Sequence, residues 1–347
     1  MRTGKDIVIV VDYHQENLQF RWFSEATGEE RTFSLPTCAD KILQVVQSAT
    51  AEVGDGGQVV WIMESTTGWA RVKRLLQGRV RFRLANVLQM PLPPKAHRKK
   101  TDKIDTGRIL REYLVGTLPY SHQPPADIRQ FRRLVDTRQD LVRRRTTLRN
   151  WINRYLSHET WEDRRGLWSQ RGMKRLAAWI AGLQGPDVVT LQTKWAELQH
   201  VAVLLEPVER AIQELYAQWP AAQRLSAIRG LGVLSSVTIL ARIGRIERFA
   251  NAEALISYAG LAPGVRQSDQ TCRTGHIGGG GTDRQLRCAL IEASMWARQI
   301  PRYCSTYERV AGKRGAKIGR LVVARLLLRS VYKMLTTGTR FNQAPAA

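Results

Sequence analysis

Cysteine is scarce, long apolar runs are missing, and acids are outnumbered. The 347-residue chain has four cysteines, Cys38, Cys272, Cys288 and Cys304. None forms a CxxC pair, which argues against a zinc site or a disulfide framework and for reduced, partly buried thiols. The six histidines form no HxxxH or HExxH pair, so a zincin-type centre is not expected. No apolar run approaches the ~20 residues of a spanning helix, and the N-terminus lacks a signal-peptide layout, so a cytoplasmic protein without a membrane partner is expected. Asp and Glu total 30 against 54 Lys and Arg, a formal charge of +24. That excess calls for a polyanion; an anionic membrane surface would attract it, but nucleic acid is the leading candidate.

What is present begins with alternating and apolar runs. Residues 6–12, 17–23 and 31–35 read as three meandering strands, followed by a helix over 39–51 and a buried strand ending at Glu64. A helix near 69–76 and a strand at 80–87 follow, and Pro91, Pro93 and Pro94 end the run. This is an α/β domain with a mixed sheet, in the element order of an RNase H-like fold. From Asp127 to Leu156 the period changes: Leu134, Leu141, Leu148 and Tyr155 recur every seven residues, as in a coiled-coil helix. A second heptad run, Val201 to Trp219, contains Pro207, which predicts a kink or a helix start there. The two runs are expected to pair antiparallel, or with another copy of the chain. Further on, Ile228-Arg229-Gly230-Leu231-Gly232 separates two apolar helices, and a Gly-x-Gly hairpin of this kind offers backbone N–H groups to phosphate. A Gly-rich loop at Gly278–Gly281 and two basic helices, about 283–298 and 317–336, complete the chain.

Four carboxylates carry the chemistry. Asp12 ends the run Ile7-Val8-Ile9-Val10-Val11, Glu64 ends Val59-Val60-Trp61-Ile62-Met63, and Asp102 and Asp105 stand i,i+3 at a helix start beside Lys99 and Lys100. Singly, each is an ordinary cap or turn residue. Together they can supply oxygen ligands to two Mg²⁺ (or Mn²⁺) ions for phosphodiester chemistry, with the lysines holding phosphate.

The long helix carries Arg132, Arg133, Arg143, Arg144, Arg145 and Arg149 among its nine arginines, against Asp136 and Asp140 alone beyond the Asp127 of its first turn. Such a run can be merely the wet face of a helix. Its shortage of acids favours nucleic-acid binding, and the planar guanidinium suits structured RNA. In the segment Arg266 to Ile277, Ser268 is either a simple loop residue or a nucleophile toward phosphate, with Arg266 and Arg273 to stabilise the developing charge.

These residues resemble a known family. Asp12, Glu64 and Thr101-Asp102-Lys103-Ile104-Asp105 look like the acidic tetrad of the DEDD transposases of bacterial insertion sequences, the insertion-sequence one-ten family. Ile228–Gly232, Tyr258-Ala259-Gly260-Leu261-Ala262-Pro263, Gln267-Ser268 and Thr274-Gly275-His276-Ile277 look like its C-terminal transposase domain. The resemblance implies an RNase H-like (RuvC-like) catalytic domain at 1–120, a helical coiled-coil domain at 121–222 and a mostly helical transposase domain at 223–347. It further implies Mg²⁺ on Asp12, Glu64, Asp102 and Asp105, and a phosphoserine link formed by Ser268. The implied partners are a structured guide (bridge) RNA, donor and target double-stranded DNA, and further copies of the chain in a tetramer, acting at the bacterial nucleoid. Two departures stand out. Asp269 follows the serine where the family commonly has glycine, and Gly278–Gly281 follow His276-Ile277 where a basic residue is frequent.

Three functions are thus open to the residues: an RNA-guided serine recombinase, a two-metal junction-resolving nuclease using water, and a non-catalytic basic scaffold. A protein–DNA adduct separates the first two, and metal-independent DNA or RNA binding with no strand transfer supports the third.

Overall fold

The uninterrupted Ile7–Val11 run is buried along its whole length, the mark of a strand covered on both faces. The computed structural model describes residues 4–91, 102–159, 165–268, 271–278 and 281–341; within these, the side chains of 102–104, 187, 263–268 and 271–276 fall outside the description. The chain forms two compact units, Met1–Gln123 and Pro124–Ala347.

The first unit is built on β1 (Ile7–Tyr13), β2 (Asn17–Ser24), β3 (Glu30–Pro36), β4 (Val59–Glu64) and β5 (Arg81–Ala85), in the order β3-β2-β1-β4-β5. The first three strands pair antiparallel; β1 with β4 and β4 with β5 pair parallel. One face packs Ile7, Ile9, Val11, Phe20 and Trp61 against α1 (Ala39–Glu52) and α2 (Trp69–Leu75). The other packs Val8, Val10, Val60 and Ile62 against Ile109, Leu110 and Tyr113 of α3 (Asp102–Val115). Period-two alternation in β1 and β4 feeds both layers at once. Element order and bounds follow the sequence expectation closely, and the mixed sheet is consistent with an RNase H-like arrangement.

The second unit is helical: α4 (Ala126–Leu156), α5 (Gln170–Ala181), α6 (Pro186–Ala217), α7 (Pro220–Ser226), α8 (Val233–Ile243), α9 (Ala252–Tyr258), α10 (Arg284–Ala297), α11 (Pro301–Arg314) and α12 (Ala316–Thr337). A two-stranded hairpin, β6 (Pro263–Ser268) and β7 (Thr271–Ile277), interrupts them. The heptad helices α4 and α6 lie antiparallel within one chain: Arg138 reaches Glu209, and Arg144, further along, reaches the earlier Glu197. Pro207 neither starts nor ends α6, which runs on from Pro186. Pro207 and Val203 are both exposed, so water can serve the Val203 carbonyl that proline leaves without a donor. Val135 of α4 and Ile212 of α6 belong to the same core as Leu225, Leu240, Leu290 and Leu328, so part of the expected coiled-coil domain shares its interior with the segment after residue 222.

Candidate active site and nucleic-acid interface

Asp12 and Glu64 lie one step beyond the last paired positions of the parallel strands β1 and β4, whose register runs from Ile7 with Val59 to Val11 with Met63. Neighbouring strands stand about 4.8 Å apart, so the register brings the two carboxylates side by side at the sheet end. Alternation sends both toward the α3 face, the face of Val10 and Ile62. Asp12 is half-buried and Glu64 exposed. Asp105, half-buried, stands in the first turn of α3, one helical turn before the buried Ile109. Thr106 accepts a hydrogen bond from the Arg21 Nε–H at 3.3 Å, and Arg21 pairs with Val10, two residues before Asp12. The start of α3 therefore lies beside the strand-end acids.

The side chain of Asp102, the fourth acid of the expected set, is outside the described residues, as are Lys99 and Lys100. Among the described residues no three His, Cys, Asp or Glu side chains converge into a cage for a metal ion. In chemical kind the donors fit a hard divalent cation: carboxylate oxygens from two strand ends and a helix start, without thiolate. His14 follows the last residue of β1. Its Nε2 lies 3.3 Å from Asp12 Oδ2, a pairing signalled in the sequence only by the i,i+2 spacing at the strand end.

The basic helix α4 differs from the sequence expectation at specific positions. Arg132 donates from Nε to the Ala241 carbonyl at 2.8 Å and from Nη2 to the Arg242 carbonyl at 2.7 Å. It thereby caps the last turn of α8, where the remaining carbonyls are met by Gly244 N–H on Leu240 and Arg248 Nε–H on Ile243. Arg143 pairs with Asp140, and Arg144 with Glu197 of α6. The acids that looked too few along α4 are supplied partly by its packing partner. Arg149 is half-buried with its guanidinium 4.9 Å from the Trp168 ring centre, and burial, with Arg145 nearby, lowers its pKa. Arg133 is exposed and Arg145 half-exposed. Arg242, paired with Asp136, and Arg248, held between Phe249 and Tyr258 at 4.1 and 4.3 Å, are pulled below the ordinary guanidinium pKa mainly by burial.

The Ser268 segment is a hairpin and not a loop: Arg266 pairs with Arg273, and Ser268, the last residue of β6, with Thr271. The side chains of Arg266, Ser268 and Arg273, and all of Asp269, lie outside the described residues. The Gly230 turn serves packing as well as exposure. Gly230 has φ 98°, and a Cβ there would collide with the Ala293 carbonyl of α10. No helix among the described residues is long and apolar enough to cross a membrane.

Comparison with known proteins bears on both units. Residues 9–159 match the transposase family model of the DEDD type associated with IS110. Residues 222–308 match the transposase IS116/IS110/IS902 family model. The chain is 27% identical over 209 residues to a putative transposase y4qE of Sinorhizobium fredii, covering 59% of this chain and 50% of that one. It is 27% identical over 240 residues to a probable family 20 transposase of Pseudomonas aeruginosa, covering 68% and 69% respectively. An insertion element IS110 protein of Streptomyces coelicolor is 30% identical over 138 residues, covering 39% of this chain and 34% of its own length. The match to the Sinorhizobium protein thus spans only half of that relative. With one model on the acid-bearing N-terminal region and the other on the helical region around the Ser268 hairpin, the chain belongs to the IS110 family of DEDD transposases.

Proposed function

We propose that the chain is an RNA-guided DNA recombinase that cuts and rejoins donor and target DNA to move its own element. The observation that carries this is the arrival of Asp12 and Glu64 on adjacent parallel strand ends, facing the first turn of α3 with Asp105. Asp12, Glu64, Asp102 and Asp105 would hold divalent metal, Mg²⁺ or Mn²⁺. Bound there, the metal would supply electrostatic stabilisation of charge developing on phosphate oxygens.

Ser268 is the nucleophile of this reading. Its Oγ bonds to phosphorus as a phosphodiester P–O bond breaks, and the hydroxyl proton ends on the released sugar oxygen. The ester keeps the strand attached, so that a second strand's hydroxyl can displace the serine and complete the transfer. The guide is a structured RNA held by arginines of α4, Arg133, Arg145 and Arg149 being among those that neither pair with a carboxylate nor cap a helix end among the described residues. The 1–120 segment is the catalytic domain, 121–222 the helical linker and 223–347 the transposase domain. The working form is a tetramer acting in the cytoplasm at the nucleoid.

The test uses the DNA flanking the gene as both substrate and source of the guide. Wild-type protein with Mg²⁺ forms a protein–DNA adduct that survives denaturation. Ser268→Ala forms none, yet still binds DNA and RNA. Cleavage by wild type without any adduct would overturn the serine step and leave a water-using nuclease.

A further inference from the structure

We infer that Arg21 is a positioning residue for the acidic site: it seats the first turn of α3, and with it Asp105, against the sheet end that carries Asp12 and Glu64. The inference rests on the metal reading proposed above. Arg21 sits on β2 opposite Val10, so it shares the α3 face and lies diagonally from Asp12, whose own partner is Gln19. Its side chain is 16% exposed. The guanidinium reaches at least two elements. Nε–H goes to Thr106 Oγ1, on the fully buried Thr106 next to Asp105, and Nη1 is ion-paired with Glu30 of the edge strand β3.

Gly107 belongs to the same arrangement. A Cβ at this position would stand 3.1 Å from the Arg21 Cζ and Nη2, closer than ordinary packing permits. Glycine is among the poorest residues for a helix interior. At 107 the missing side chain leaves the guanidinium room alongside the helix, and an added Cβ would press it back by a few tenths of an ångström.

Glu30 is largely exposed, and a pair of this kind contributes little to folding stability. Its effect is to fix the direction of the guanidinium, as groups behind a metal site orient the ligands in front. A cation beside carboxylates also opposes their mutual repulsion before metal arrives. Arg21 touches no reacting atom in this scheme; it acts through Thr106 and the helix start.

The test uses the full-length protein without nucleic acid, titrated with Mn²⁺ by calorimetry, together with amide hydrogen exchange of the metal-free protein. Arg21→Gln is expected to weaken Mn²⁺ binding by about 10-fold or more and to speed exchange at 106–109, with β1 and β4 unchanged. Arg21→Lys should recover part of the affinity. Gly107→Ala is the decisive companion, because the new residue is a better helix former and leaves Arg21 in the sequence while crowding its guanidinium. If only helix stability mattered, it would slow exchange and leave binding alone; the inference requires weaker Mn²⁺ binding. Should Arg21→Gln fail to fold, Gly107→Ala decides alone. Wild-type protein that binds no Mn²⁺ overturns the metal reading itself. Wild-type binding matched by Gly107→Ala, or by a folded Arg21→Gln, overturns only the role of Arg21.

Discussion

Replacing Arg132 separates two uses of a cationic helix that a charge count treats as one. Arg132→Met retains most of the side-chain volume but removes the hydrogen bonds at 2.8 and 2.7 Å to the carbonyls of Ala241 and Arg242. Hydrogen bonds from a charged donor contribute about 1.5–3 kcal/mol each. Arg132 is only half-buried, so water can partly replace it, and the Arg242 carbonyl keeps long contacts from Arg248 and Tyr258 at 3.4 and 3.3 Å. A loss of about 2–4 kcal/mol follows, on the order of 10 °C in Tm for a unit of this size. The salt dependence of RNA binding should be unchanged, since this guanidinium is committed to helix α8. Arg133→Gln should behave oppositely, with Tm within about 1–2 °C of wild type and the log–log salt slope reduced by about 0.7–0.9. Calorimetric melting and filter binding at several salt concentrations read both quantities. A flatter salt slope for Arg132→Met with an unaltered Tm would refute the capping role.

Gly230→Ala should destabilise the second unit by about 2–4 kcal/mol, because it combines a left-handed φ with a collision at the Ala293 carbonyl; denaturant titration checks it, and a loss under about 0.5 kcal/mol would contradict the packing. Burial raises the Tyr303 pKa above its usual value near 10. A raised folded-state pKa gives stability that is full below about pH 10 and falls as pH climbs toward the folded value; Tyr303→Phe, which loses the hydroxyl contact to Ser330 at 2.7 Å, should start about 1 kcal/mol lower and then show a flatter alkaline decline. Glu64→Gln should abolish strand cleavage while changing DNA affinity less than about threefold, since the cationic surface is untouched; cleavage at the wild-type rate would remove Glu64 from the site.

Much of the first unit was legible because its signals are local. The apolar runs at 7–11 and 59–63 specify buried strands, and an acid after each one marks its end. Register follows from pairing the two runs. Other features depended on partners distant in sequence. Arg132 could not be told from Arg133 along α4, because the carbonyls it caps belong to α8, more than a hundred residues later. Glu197 and Glu209 likewise looked unrelated to the arginines they neutralise. The β6–β7 hairpin was hidden by composition: Pro263-Gly264-Val265-Arg266-Gln267-Ser268 has no apolar alternation, so nothing marks a buried face. Gly185-Pro186 has the character of a loop, yet proline at the first helical position is a start signal, and α6 begins there. Gly107 carried no message until Arg21 was found in the space beside it.

In the proposed mechanism, acids from two strand ends and one helix start form a single metal site for strand cleavage. Crystals of the full-length protein soaked in Mn²⁺, with anomalous scattering recorded at the manganese edge, test it most directly. Anomalous density is expected between Asp12 and Glu64 together with an acid from the first turn of α3, and is expected to be lost in Asp12→Asn. Manganese bound elsewhere, with those carboxylates bare, would contradict it, as would DNA cleavage that persists at the full rate in EDTA.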